Sequence, residues 1–276
     1  MNDIAEFMVR RILVALDASA LSLAALEEAA AFAAAMEAEL TGLFVEDINL
    51  VRSAGLPFAR QVSYPSGAEE RLSSERIDRE LKARAELARK ALAAAAERRH
   101  TPWSFRTVRG QVTGEILAAA SQADILLIGK SGWSPARSVG STALALIAAA
   151  PGAFLLVQQE IPQAGPIVAF YDGSRRALEA AIRLAIARQV GLVVLISAAT
   201  PDVYDTLQEE AKQIIGGRLK EVRLRRVDAA GPRDFAQVLR TEGGGLLVLP
   251  GGSLLAQEPG ILRLLELIRN PVLIIR

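Results

Sequence analysis

ADILLIGKSGWSPARSVGSTALALIAAAPGAFLLVQ, residues Ala123 to Gln158, is the stretch from which the rest of the chain can be read. It opens with a short apolar strand, Ile125–Ile128, that breaks on Gly129. A loop with Lys130, Ser131, Gly132 and Arg137 follows, and Gly140-Ser141-Thr142 leads into an alanine-rich helix. Pro151-Gly152 stop that helix, and a second apolar strand closes the unit. Strand, glycine loop and helix start together make an anion site, because unpaired N–H groups and the positive helix end face whatever the loop holds. Glycine lets the backbone approach a phosphate closely. The alternative is a tight β–α turn that holds no ligand.

Working outward, strand and helix alternate along the whole chain. Ile12–Leu16 is a continuous apolar run, as expected of a strand buried on both faces. Asp17-Ala18-Ser19 turns the chain, with Ser19 expected to cap a helix that runs to Ala38. Leu40–Val45 is a second strand, and Glu46–Gly67, with Pro57 and Pro65, is expected to be a long connection. Glu69–Arg99 reads as one charged, alanine-rich helix with a solvated face. Trp103–Val108 reads as a strand, and Gly110–Ala120 as loop then helix.

The pattern then restarts. Ile167–Ser174 parallels Ile12–Ser19 at an offset of 155 residues, Gly245–Leu249 parallels Asp124–Ile128 at 121, and Val272–Ile275 parallels Phe154–Val157 at 118. The second copy is therefore about 34 residues shorter between its first and fourth strands. A repeat of this size predicts two like domains, residues 1–160 and 161–276, joined near Glu160–Gly165 in a stretch rich in proline and glutamine. The alternation makes the fold class α/β, a parallel sheet with helices on both faces. Val222–Val227 (VRLRRV) mixes arginine with aliphatics, as an edge strand guarded by charge does.

Composition narrows the function. The chain of 276 residues has no cysteine, which excludes disulfides and thiolate metal sites, and a net charge of +1, which gives no global field for nucleic acid. Ser138–Gln159 is free of charge for 22 residues, long enough for a membrane span, but Pro151-Gly152 divide it into two elements. The N-terminus carries acids early and lacks an apolar signal core. The expectation is a soluble, cytoplasmic protein with neither membrane nor nucleic-acid partner. His100, the one histidine, lies in a polar run before Pro102 and reads as a solvated helix end. No triad, metal-ligand cluster or paired glutamates stand out, so no enzymatic activity is expected.

Two nucleotide signatures fail. A dinucleotide fingerprint needs glycines after the first strand, where Asp17-Ala18-Ser19 and Asp172-Gly173-Ser174 stand. Gly129-Lys130-Ser131 imitates the end of a P-loop, but that motif's first glycine would fall on Asp124. What remains is Gly129-x2-Gly132-x7-Gly140-Ser141.

Together with an apolar first strand ending in Asp-x-Ser, a second strand ending in Val45-Glu46-Asp47, Gly110 before Ile116, and Ala123-Asp124-Ile125 entering the loop, this pattern resembles universal stress protein domains. The resemblance covers the first copy nearly end to end. The second copy looks like a shortened, divergent member, so the chain resembles the tandem type. The resemblance implies two tandem open parallel five-stranded sheets of order 3-2-1-4-5, adenine nucleotide alpha hydrolase-like, with arginine-bearing third strands at the edges. It further implies that the last strands, Phe154–Val157 and Val272–Ile275, lie close and antiparallel across a pseudo-twofold axis, as an intramolecular counterpart of a dimer; a homodimer of the chain also stays open.

For the site, the resemblance implies an adenine nucleotide, ATP or AMP, in the first domain, with Mg accompanying ATP. Residue by residue, it would rest on Asp17, Val45, Gly129, Gly132, Gly140 and Ser141, with Thr142 adjacent and Lys130 offsetting phosphate charge. Seven residues separate Gly132 from Gly140 where the family pattern has nine. In the second copy Pro250 stands in place of Gly129 and Gly260-Ile261 in place of Gly140-Ser141, so no nucleotide is expected there. Three readings stay open: a non-enzymatic stress-response protein that binds nucleotide, an interaction scaffold that binds none and acts on an unknown protein partner, and a slow ATP-hydrolysing switch.

Overall fold

The computed structural model describes residues 8–56, 60–62, 69–71, 73–129, 140–157, 165–227, 231–243, 245–257 and 259–276. The first half of the chain runs β1 (Arg11–Leu16), α1 (Ala20–Met36), β2 (Glu39–Asp47), α2 (Ile48–Ala54), β3 (Arg60–Val62) and β4 (Glu69–Arg71). It continues with α3 (Ser74–Glu97), β5 (Trp103–Gly110), α4 (Val112–Ala120), β6 (Ile125–Gly129), α5 (Ser141–Ala149) and β7 (Ala153–Val157). The second half is shorter: β8 (Ile167–Tyr171), α6 (Arg175–Arg188), β9 (Leu192–Ser197), α7 (Pro201–Ile215) and β10 (Val222–Val227) come first. α8 (Pro232–Thr241), β11 (Leu247–Pro250), α9 (Gly260–Leu267) and β12 (Val272–Ile275) complete it.

The local sequence explains most boundaries. Ser19 caps α1, its Oγ accepting from the N–H of Ser22 at 3.2 Å. His100 is exposed in a left-handed turn after α3, a helix end as its sequence suggests. Two expectations are corrected. The connection after Glu46 contains α2, because the Asp47 carboxylate accepts from the N–H of Asn49 at 2.9 Å and starts a helix. Glu69–Arg99 is not one helix. Its first residues form β4, antiparallel to β3, and α3 begins only after Ser73, whose Oγ accepts from the N–H of Arg76. Serine competes for backbone donors in this way and favours a cap over a helix interior.

The larger correction concerns the sheet. The strands do not form two separate five-stranded sheets but one ten-stranded sheet, ordered β10-β9-β8-β11-β12-β7-β6-β1-β2-β5. Each half keeps the order 3-2-1-4-5 and is parallel within itself; the halves join where β7 and β12 pair antiparallel, Leu156 opposite Val272 and Phe154 opposite Ile274. The reason is burial. All five residues of β7 and all four of β12 are buried and apolar, and an unpaired edge of that kind would leave backbone groups without partners in an apolar setting. The segment expected to join two domains falls, up to Ala164, outside the described residues.

Helices cover both faces. α1, α3, α6 and α7 share one apolar layer, while α4, α5, α8 and α9 share the other. α1 is apolar nearly all round because it lies between the sheet, α3 and α6. Across the α1–α6 contact, Arg188 meets Glu28 at 3.2 Å with both side chains largely buried.

At the amino ends of the strands, Asp124 sets the register of β1 on β6. One carboxylate oxygen accepts from the N–H groups of Arg10 and Arg11 at 2.7 and 2.9 Å, while the N–H of Asp124 donates to the carbonyl of Arg11. Asp124→Ala removes both carboxylate bonds in a solvent-accessible setting. A loss of about 1–2 kcal/mol is expected, read as a lower urea midpoint at unchanged slope.

Candidate functional site

An open parallel sheet takes ligands at the carboxyl ends of its strands, where the strand order reverses. In the first half the chain leaves β1 for β2 and β5, then returns through α4 to β6 on the other side of β1. By that rule the ligand crevice of the first half falls between the carboxyl ends of β1 and β6. Register brings the expected residues to this edge: Leu16 lies opposite Phe44 and Val14 opposite Leu127, so Asp17 after β1, Val45 within β2 and Gly129 at the end of β6 fall at neighbouring levels.

Asp17 builds the turn it sits in. Its Oδ1 accepts from the N–H of Ser19 at 2.9 Å, and Ala18 between them takes a left-handed conformation at φ 58°. The same turn recurs in the second half, where Asp172 accepts from the N–H of Ser174 at 3.2 Å and Gly173 holds φ 100°. Val45 is half-buried against the layer of α4 and α5. Gly129 ends β6 opposite Val157.

Gly140 is the N-cap of α5 and, having no side chain, makes no side-chain cap bond. Ser141 is exposed and Thr142 half-buried in its first turn, which carries no acidic residue. The first N–H groups of any helix lack intrahelical partners, so this end favours an anion. Lys130 and Gly132, with Arg137, lie outside the described residues. The described structure thus brings Asp17, Val45 and Gly129 to one edge, and places Gly140, Ser141 and Thr142 at the start of the helix that follows β6.

Sequence reasoning missed a charged cluster at the same edge. Glu46, nearly buried, accepts from the guanidinium of Arg109 at 2.7–2.8 Å, and Arg109 reaches Asp78 of α3 at 2.8 Å. The hydrogen bond to Glu46, with its negative charge, raises the arginine pKa above its ordinary value. Glu46 lies within Val45-Glu46-Asp47, but nothing in spacing ties it to Arg109, which becomes its neighbour only through the β2–β5 register. Gly110, next in line, has a close neighbour: a Cβ there would stand 2.2 Å from Oε1 of Glu115. Among the described residues no group of three or more His, Cys, Asp or Glu could hold a metal ion.

The corresponding edge of the second half is folded shut. The N–H of Gly251 donates to the carbonyl of Ile275 at 2.7 Å, and that of Ile261 to Gln257 at 2.9 Å. The Ser253 hydroxyl donates to the carbonyl of Pro250, and a Cβ on Gly260 would fall 2.2 Å from the carbonyl oxygen of Leu254. The turn fills its own cradle.

A mostly parallel sheet wound in both directions from its first strand, with helices on both faces, defines a doubly wound α/β protein. Within that class the family is specific. The sequence model of the universal stress protein family matches residues 8–158, more than half of the chain, and the chain belongs to that family. A universal stress protein from Archaeoglobus fulgidus DSM 4304 has the same fold over 98% of this chain and 97% of its own, at TM-score 0.75 and 16% identity. A functionally unknown protein from Pseudomonas aeruginosa PAO1 covers 98% of this chain and 94% of its own at TM-score 0.61 and 15% identity. The cytoplasmic domain of a prokaryotic cation chloride cotransporter covers 97% and 95% at TM-score 0.56 and 8% identity. These three likenesses establish the fold over both halves. No curated protein matches the sequence. Among the described residues no helix is long and apolar enough to cross a membrane.

Ala18 offers a test of the turn. It holds φ 58° where the second half uses glycine, and an L side chain in that region costs free energy. Ala18→Gly is expected to change stability by no more than about 1 kcal/mol, in the stabilising direction, as measured by thermal unfolding.

Proposed function

We propose that residues 1–160 form a domain that binds one adenine nucleotide, ATP or AMP, at the carboxyl edge of β1 and β6, and that the protein is a non-enzymatic, nucleotide-responsive regulator in the stress response. The observation that carries this reading is the start of α5 at Gly140, a glycine N-cap on the β6–β7 crossover, in a half-sheet whose switch point lies between β1 and β6. The N–H groups of Gly140, Ser141 and Thr142 hold phosphate, aided by Gly129, Lys130 and Gly132. Asp17 and Val45 receive the nucleoside. Mg, if carried in by ATP, sits on the phosphates rather than on a protein cluster. Residues 161–276 serve as a built-in pairing domain, and the backbone donors of the turn at Gly251–Gln257 are turned inward instead of toward a ligand.

The full-length protein should therefore bind one nucleotide per chain, not two, by calorimetry. Gly140→Val adds a side chain at the phosphate end and should weaken ATP at least tenfold, about 1.4 kcal/mol, with the fold intact by circular dichroism. Asp17→Ala should weaken ATP and adenosine alike. Wild-type protein that binds neither ligand at millimolar concentration would hand the site to the scaffold reading, to which the loop between Gly132 and Gly140, two residues shorter than the family pattern, already points. Phosphate release above the rate of free ATP would favour the slow switch.

A further inference from the structure

α5 joins the candidate site to the other half of the protein. Its amino end opens the crevice, and its last turn contains no basic residue to balance the carbonyls left unpaired there. A residue beyond β12 supplies that charge: the Arg276 guanidinium donates from Nη2 to the carbonyl of Ile147 and from Nη1 to the carbonyl of Ala150. Two donors of one planar group thus grip the carboxyl end of α5 across the junction between halves.

The turn after β11 makes this reach fit. A Cβ on Gly251 would stand 2.7 Å from Cγ of Arg276 and 3.2 Å from the carbonyl oxygen of Ile275, and the N–H of Gly251 holds that carbonyl at 2.7 Å. The glycine thus leaves room for the arginine stem. Burial pulls the arginine pKa below its ordinary value, yet arginine stays charged at neutral pH. The glycine turn of the second half, closed to ligands, has become the seat of a side chain that serves the first half.

We propose that Arg276, seated on Gly251, is a positioning residue that clamps the carboxyl end of α5 and thereby fixes where Gly140, Ser141 and Thr142 present their N–H groups to nucleotide phosphate. The inference rests on the nucleotide reading above. Nine residues of helix span about 13 Å, and a helix this short is marginal alone, so its neighbours set both its order and its tilt. α5 meets a nucleotide only at the phosphates. Loss of the clamp acts on ATP and leaves adenosine alone, which a general loss of stability does not do.

The test uses the full-length chain. Arg276→Met keeps the aliphatic stem over Gly251 and removes the donors, Arg276→Lys restores a single cation, and Gly251→Val displaces the arginine. Without nucleotide, Arg276→Met and Gly251→Val should each speed hydrogen exchange of the amides from Leu144 to Ala150 at least tenfold. By calorimetry both should weaken ATP at least fivefold and adenosine less than twofold, with Arg276→Lys between them and wild type. ATP binding by wild type that is unchanged in Arg276→Met, unchanged exchange in α5, or equal losses for ATP and adenosine would each overturn the positioning role alone. Wild type that binds no ATP would overturn the nucleotide reading, and this role with it.

Discussion

The antiparallel pairing of β7 with β12 is the contact on which the rest of the molecule depends. Neither strand has a polar residue, and neither has a polar face to offer solvent. Burying Phe154 and Leu155, like Leu273 and Ile274 opposite them, contributes about 1.5–3 kcal/mol for each side chain. Two parallel half-sheets that end in such strands are driven to share them. The pseudo-twofold arrangement then brings α1 against α6 on one face, with Glu28 and Arg188 between them, and Arg276 against α5 on the other.

Joining the centre moves the edge problem to the third strands. β5 and β10 lie at the two ends of the ten-stranded sheet, and each carries arginines that discourage further pairing. On β10, Arg223 and Arg225 lean onto the carboxylate of Glu242, which is fully buried and lies 3.2 and 2.7 Å from them. On β5, Arg109 does the same with Glu46 and Asp78. The two anchors differ in consequence, because the second stands at the crevice beside Val45, whereas the first has no expected ligand nearby.

Antiparallel joining also sends the carboxyl edges of the halves to opposite sides of the sheet. The carboxyl end of β12 thereby lies beside the amino end of β7, where α5 ends, which is how Arg276 comes to lie against α5. In the first half α5 starts at Gly140; in the second, the N–H of Gly251 is held by Ile275 and that of Ile261 by Gln257. A repeated fold has become unequal in use: the half whose turn after β11 folds onto itself contributes a side chain to the other half.

The sequence by itself determined the α/β alternation, the strand runs, the repeat and the Ser19 cap, because apolar period and capping chemistry act between residues a few positions apart. It also placed Asp17, Val45, Gly129 and Gly140 near strand ends, which register then brings to one edge. Only the tertiary structure decided that ten strands form one sheet, since the pairing of Leu156 with Val272 joins residues far apart in the chain. The same holds for Arg109 against Glu46 and for Arg276 against Ile147: arginine can reach many partners, and which carboxylate or carbonyl it meets is fixed by strand register and helix placement, not by spacing along the chain.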